Sequence, residues 1–401
     1  MDGRLRGRRA GQGRAIEEAL EAARRLETRG GPPPTILAYH PVTANPFQPQ
    51  LYRRTWQNGL APIPLHRLEE IDELVGLPAL GIRTILHLHW THGVLSTIGD
   101  EAAGRAAIEA TFGRLDRFIE AGGKLVWTVH NVLPHDARFQ RLEADLQQGI
   151  VDRAAAVHIL AAGTALAVAD WFSIPEDKVV HVPLPSYRGV YQDIYPRDEA
   201  RHRLGIDDDE VVYGLVGAIK PYKGLAALID AFDTVSAGDP RPRRLLIAGA
   251  PDRAEATRAF IDRCRDHPLI TLHARRIPDD EMQLFLRATD VAVLPYEDVL
   301  NSSVLFLVLT FGLPVVTPSS GGIAEEIQLS FGRTFDPDRP GSLAAALRSA
   351  DELIEPDAVG GTRAAALELA AKHDPDAIGE RFARGVLSRV YGDPVLPYGG
   401  S

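Results

Sequence analysis

The pattern that most limits what this chain can fold into is a strand–helix rhythm that runs through it twice. From Thr35 onward, short apolar or β-rich runs recur as ILAYH (36–40), TILHLHW (84–90), KLVWTVH (124–130), AAVHIL (155–160) and KVVHVP (178–183). Helical stretches lie between them, notably 104–121 and 163–172. A segment rich in tyrosine and charge, Ser186 to Arg203, reads as a linker. The rhythm then restarts with VVYGLVG (211–217), RLLIAGA (244–250), ITLHA (270–274), VAVLP (291–295) and PVVTP (314–318). Apolar runs alternating with helices imply a parallel sheet covered on both faces. A chain of 401 residues is long for one core, so two domains are expected. The fold class is therefore α/β, two Rossmann-like, doubly wound domains facing across a cleft. The boundaries read as an arm and helix over 1–34, a first domain over 35–195, a second over 196–373 and a C-terminal helix over 374–401. That last helix carries an apolar stripe, Ile378, Phe382, Val386, Leu387 and Val390, which needs a partner such as the first domain.

Charge and cysteine content narrow the function. A formal net charge of −10 argues against general nucleic-acid binding, which needs a basic footprint. One cysteine, Cys264, rules out a disulfide framework or a cysteine-rich zinc site and suits a reducing, cytoplasmic compartment. No apolar run approaches the roughly 20 residues of a membrane span, and no signal-peptide pattern opens the chain. The first residues are nevertheless basic, with Arg4, Arg6, Arg8, Arg9 and Arg14 before a helix-like EEALEAARRLE. Such an arm beside an amphipathic helix would suit peripheral contact with an anionic membrane. A tail on a solvated helix accounts for the same residues.

The second half opens on Val211 to Leu225, a buried-strand pattern that ends at Gly217, then Lys220 and Lys223, then Gly224 and a helix with Leu225, Leu228, Ile229 and Phe232 on one face. A strand, a glycine turn, two cations and a helix N-terminus can hold phosphate. A βα turn with solvated lysines would look the same. In the first half, polar residues gather at the carboxyl ends of the strands, where doubly wound sheets bind ligands: His40, then His89, Trp90 and His92, then His130, Asn131, His135 and Asp136.

Taken together, G217-AI-K220-PY-K223-G224, RLLIAGA, LHARRIPDDEM, ATDVAVLPY, FGLPVV and GGIAEEI resemble the nucleotide-sugar domain of GT-B glycosyltransferases. They are most similar to the group often called family 4. The resemblance covers about residues 205–330; NPF (45–47), HLHW and TVHNVLPHD extend it more loosely into the first half. It implies a hexosyltransferase acting with retention, with donor on the second domain and acceptor on the first, and with no metal needed. By this resemblance Lys223 neutralises the donor diphosphate, Lys220 stands where arginine is usual, and Arg276 and Ile277 meet the nucleobase. The family's two glutamates fall on Val299 and Leu307 here, so both carboxylates are missing. Asn301, Ser302 and Ser303 instead precede an apolar helix and could cap it or cradle a phosphate. Glu297 and Asp298 are weaker substitutes for a lost carboxylate. His130 matches a family histidine near the transferred sugar, and Asp136 is the acid/base choice. Asn45, His89, Trp90, His92, Asn131 and His135 are acceptor-side candidates. Another user of the fold, such as a sugar-nucleotide epimerase or a glycosyl phosphorylase, fits these residues, as does a binding module without turnover. A nicotinamide dehydrogenase does not, because no strand is followed by G-x-G-x-x-G.

Overall fold

The structure, a computed structural model, describes residues 14–28, 33–42, 45–134, 137–297 and 299–394. It divides into two units, the first built from the chain up to Pro183 together with the residues from Asp376 on, the second from Leu184–Pro375. The boundaries therefore differ from the sequence reading. Residues 184–195 belong to the second unit, and the segment read as a linker is built into it. Tyr187 is buried there, and Arg201 is fully buried within the helix Arg197–Leu204. The guanidinium of Arg201 pairs with Asp290 at 2.5 Å and donates to the carbonyls of Ala288 and Glu210. A buried arginine requires such partners, and the tyrosine-rich composition gave no sign of them.

The first unit is a six-stranded sheet of β1 (Thr35–Tyr39), β2 (Leu60–Pro64), β3 (Arg83–Leu88), β4 (Lys124–Val129), β5 (Ala156–Ile159) and β6 (Val179–His181). The order is β2-β1-β3-β4-β5-β6, and every pair is parallel. The strand order turns back between β1 and β3, so their carboxyl ends frame a ligand crevice. The helix Arg14–Glu27 buries Ala15, Ala19, Ala22, Ala23 and Leu26 in this unit. Its apolar face is thus occupied, which removes the helix, though not the basic residues before it, from the membrane reading. Those first thirteen residues lie outside the described ones. The expected helix over 163–172 is only a short turn of helix, Thr164–Ala167. The helix Pro375–Tyr391 buries Ile378, Phe382, Val386 and Leu387. Its Phe382 stacks on His87 with ring centroids 5.0 Å apart.

The second unit has its own sheet, β7 (Val211–Val216), β8 (Arg243–Ala248), β9 (Ile270–His273), β10 (Val291–Val293), β11 (Val315–Pro318) and β12 (Gly332–Phe335). The order β12-β11-β10-β7-β8-β9 is again all parallel. It reverses between β7 and β10, the dinucleotide-type switch point. Tyr213, Leu215, Leu245 and Ile247 pack with Leu228, Ile229 and Phe232 of the helix Leu225–Ser236 in one core. No helix among the described residues is long and apolar enough to cross a membrane.

Candidate functional site

At the switch point of the second unit the chain leaves β7 through Gly217, whose φ of 125° lies where side chains are strained. Lys220 is exposed at the start of the turn Pro221–Lys223, whereas Lys223 is 5% exposed. Gly224 follows at φ 62°, and a Cβ there would come within 1.9 Å of the Pro295 carbonyl. This close approach brings the lysine turn against the end of β10. The Lys223 ammonium lies 5.4 Å from the centre of the Tyr296 ring, and both it and Val304 crowd the open side of Gly217. Among the described residues no carboxylate pairs with Lys223. Its burial, with the neighbouring Lys220 charge adding to it, pulls the ammonium down to about 8. A buried cation without a counter-ion is costly.

The serine segment lies at the same place but is built differently from expectation. The apolar helix spans Ser303–Thr310, and Ser302 holds its N-cap position without a side-chain cap bond. The Ser302 hydroxyl is instead 3.3 Å from the Tyr296 hydroxyl, and Ser303 bonds the Tyr187 hydroxyl. Ser302 thus leaves the first N–H groups of the helix without a bond from its own side chain. Asn301 is half-buried beside them. Val299 and Leu307, at the missing glutamate positions, are buried apolar residues. Glu297 is exposed, and its N–H reaches the Tyr222 carbonyl at 3.4 Å; Asp298 lies outside the described residues. Beyond β9, Ile277 is buried and Arg276 exposed, its carbonyl accepting from Arg275 at 3.3 Å. The structure thus brings together Gly217, Lys223, Ser302 and Val304, with Tyr296 added. Tyr296 was missed, although a tyrosine just past an apolar strand end is a recognisable signal.

In the first unit, β3 and β4 deliver His89, Trp90 and His130 to one spot. Trp90 stacks on His130 at 4.1 Å and 14°, and Phe47 meets the same ring edge-on at 5.2 Å. Asn45 accepts the Phe47 N–H at 2.9 Å and so shapes that edge. His89 is buried, with Nδ1 3.0 Å from His130 Nε2 and Nε2 2.7 Å from the Tyr52 hydroxyl. Both of its ring nitrogens are spent inside the protein, so His89 supports His130 rather than reaching an acceptor. Burial pushes His130 down to about 3 and His89 well below the ordinary imidazole range. Both rings are neutral near pH 7, and His130 works as a hydrogen-bonding group. His92 is exposed and Asn131 half-buried; His135 and Asp136 lie outside the described residues. A cavity of about 30 Å³ is lined by His89, Trp90, His130, Asn131 and Gln147, among others. The sequence reading passed over Tyr52, His87, Thr128 and His158. The available signal was two histidines inside buried strands, where each must find polar partners. Among the described residues no group of three or more His, Cys, Asp or Glu is arranged to hold a metal.

Two six-stranded parallel sheets with these strand orders define the class of protein, and the comparisons agree. The structure superposes on Anabaena HepE in complex with UDP with a TM-score of 0.64 at 14% identity, covering 88% of this chain and 100% of that one. It superposes on sucrose-phosphate synthase from Thermosynechococcus elongatus with a TM-score of 0.63 at 15% identity, covering 86% and 96%. The fold is GT-B, as the sequence implied. Residues 210–351 match the family described as glycosyl transferases group 1, a match that falls within the second unit. Among curated relatives, a GDP-mannose:glycolipid 4-beta-D-mannosyltransferase of Xanthomonas campestris pv. campestris is 28% identical over 252 residues, 61% of this chain and 64% of the relative. A D-inositol 3-phosphate glycosyltransferase of Geodermatophilus obscurus is 32% identical over 162 residues, 38% of this chain and 36% of the relative. The chain thus matches less than two thirds of the length of either.

Proposed function

We propose that this chain is a glycosyltransferase, taking a hexosyl group from a nucleoside diphosphate sugar and joining it to an acceptor hydroxyl. The observation that carries the reading is Lys223, a buried ammonium with no carboxylate partner among the described residues, near the N-terminus of the helix Ser303–Thr310 at the β7/β10 switch point. A nucleoside diphosphate leaves with growing negative charge, and fixed donors in a dry site stabilise that charge in the transition state. Lys223 and the first N–H groups of Ser303–Thr310 would meet the diphosphate, Lys220 its outer oxygens, and the Arg276–Ile277 backbone the base. The first unit would hold the acceptor near His130, with Asp136 as the proton acceptor. The mannosyltransferase relative suggests a glycolipid acceptor. The basic residues Arg4, Arg6, Arg8 and Arg9 would favour an anionic membrane carrying such a lipid. This keeps the chain on the cytoplasmic side expected from its cysteine content.

The test is transfer measured by mass spectrometry with GDP-mannose and UDP-glucose as donors and a panel of glycolipid and soluble sugar acceptors. A glycosylated product that disappears in Lys223→Ala supports the reading. Nucleoside diphosphate binding without product or donor hydrolysis, across the panel, would favour a binding module. The one-bond 13C–1H coupling at the product's anomeric carbon settles the stereochemistry. The family resemblance implies retention, whereas the mannosyltransferase relative is named for a β-linkage.

A further inference from the structure

A continuous line of hydrogen bonds runs beneath the carboxyl edge of the first sheet. It starts at the Val182 carbonyl, 2.8 Å from His158 Nε2. His158 Nδ1 is 2.9 Å from the Thr128 hydroxyl, which is 2.7 Å from His87 Nε2. His87 Nδ1 is 2.8 Å from the Tyr52 hydroxyl, which is 2.7 Å from His89 Nε2. His89 Nδ1 then reaches His130 Nε2 at 3.0 Å. Three strands and the turn at Tyr52 contribute, and His87, Thr128 and His158 are at most 1% exposed.

The direction of every bond follows from one end. A carbonyl can only accept, so His158 donates from Nε2. A neutral imidazole has one N–H, so its Nδ1 accepts and Thr128 donates to it. The Thr128 oxygen then accepts from His87 Nε2, and His87 Nδ1 accepts from Tyr52. The Tyr52 oxygen must in turn accept from His89 Nε2, and His89 Nδ1 accepts from His130 Nε2. We infer that Val182, His158, Thr128, His87, Tyr52 and His89 fix His130 as the Nε2–H tautomer, leaving its Nδ1 as a hydrogen-bond acceptor. Tyr52, His87, Thr128 and His158 are positioning residues that act on His130 through this line. Burial lowers all four imidazoles and keeps the rings neutral.

The ordering sets the chemistry that His130 can recognise. An Nδ1 lone pair receives a hydrogen bond from a hydroxyl or an ammonium and turns away a phosphate or carboxylate oxygen. Gln147, which lines the same small cavity, has a buried Oε1 without a partner among the described residues. A buried amide oxygen at this cavity favours a donor such as a sugar hydroxyl. The ordering itself belongs to the free protein and stands whether or not the chain transfers sugar.

The experiment is long-range 15N–1H correlation of the imidazoles in the full-length chain with 15N-labelled histidine, the His130 signals assigned by their loss in His130→Gln. The expected spectrum shows His130 Nδ1 at the unprotonated position and Nε2 at the protonated one. Thr128→Val keeps the side-chain shape and does not touch His130, yet it removes the link that sets the direction. It should shift the His130 Nδ1 resonance toward the protonated position. Tyr52→Phe, which cuts the line nearer His130, should do the same and serves if Thr128→Val does not fold. A parent His130 protonated on Nδ1, or a His130 tautomer unchanged in the variants that fold, would overturn the inference.

Discussion

Nucleoside diphosphate affinity should fall as the pH rises through 8, because the ammonium of Lys223 must be charged to hold a diphosphate. In the free protein the group titrates at about 8, lowered by burial and by the charge of Lys220. Bound diphosphate adds negative charge at close range and raises that value. The sign follows: binding takes up a proton, so affinity is full below the free value and declines above it until the bound value is reached. The charged fraction of the free protein falls from about 0.9 at pH 7 to about 0.1 at pH 9, given a midpoint near 8. Affinity should therefore drop about tenfold across that interval, or about 1.4 kcal/mol. The ligand's terminal phosphate has its second ionisation near 6, below this window. Isothermal titration with UDP and GDP at pH 7, 8 and 9 gives the slope. Repeating pH 8 in buffers of different ionisation enthalpy counts the protons, and about half a proton should be taken up. In Lys223→Ala the affinity should be about 10²-fold lower and the slope in this window should vanish. A flat profile in the parent, or the same slope in Lys223→Ala, would refute the reasoning.

Three further outcomes follow from the geometry. Gly224→Ala forces a side chain into a left-handed backbone and onto the Pro295 carbonyl, so calorimetric melting should show a loss of at least about 2 kcal/mol; an unchanged melt would mean that the lysine turn is not held against β10. Ser302→Ala removes a hydroxyl that makes no cap bond, so stability should change by less than about 0.5 kcal/mol while UDP or GDP affinity falls more than that of the parent nucleoside; equal loss for both ligands would remove the hydroxyl from the diphosphate. Acid should destabilise the first unit, because His87, His89 and His158 are neutral when buried and the unfolded chain binds more protons below its ordinary histidine value. The stability is present above pH 6.5 and is lost below it, by about 1.4 kcal/mol per histidine at pH 5.5, or roughly 4 for the three. All four tryptophans, Trp56, Trp90, Trp127 and Trp171, lie in this unit, so their fluorescence in urea titrations reports it, and equal stability at pH 7.5 and 5.5 would contradict the neutral line.

The central strands were legible because they are buried on both faces and read as continuous apolar runs. Two of the four edge strands were not. β2 is LAPIP, with prolines that only a sheet edge tolerates, and β12 is the short GRTF. The lysine turn could be placed from its glycines and charges, but the sequence did not distinguish exposed Lys220 from buried Lys223. That difference depends on Gly224 meeting the Pro295 carbonyl, a contact between segments about 70 residues apart. Ser302 read as a cap because local spacing favours one, and the tertiary contact with Tyr296 took its hydroxyl instead. His87, Thr128 and His158 sit on three neighbouring strands. Their connection follows from strand order and register, which one-dimensional periodicity does not carry.

A diphosphate site at the β7/β10 switch point is tested most directly by a crystal structure of the full chain soaked with UDP or GDP. The diphosphate oxygens should lie within hydrogen-bonding distance of Lys223 Nζ and of the first N–H groups of Ser303–Thr310, with the base near Ile277. A nucleotide bound elsewhere, or one at this place whose phosphates point away from Lys223, would contradict it.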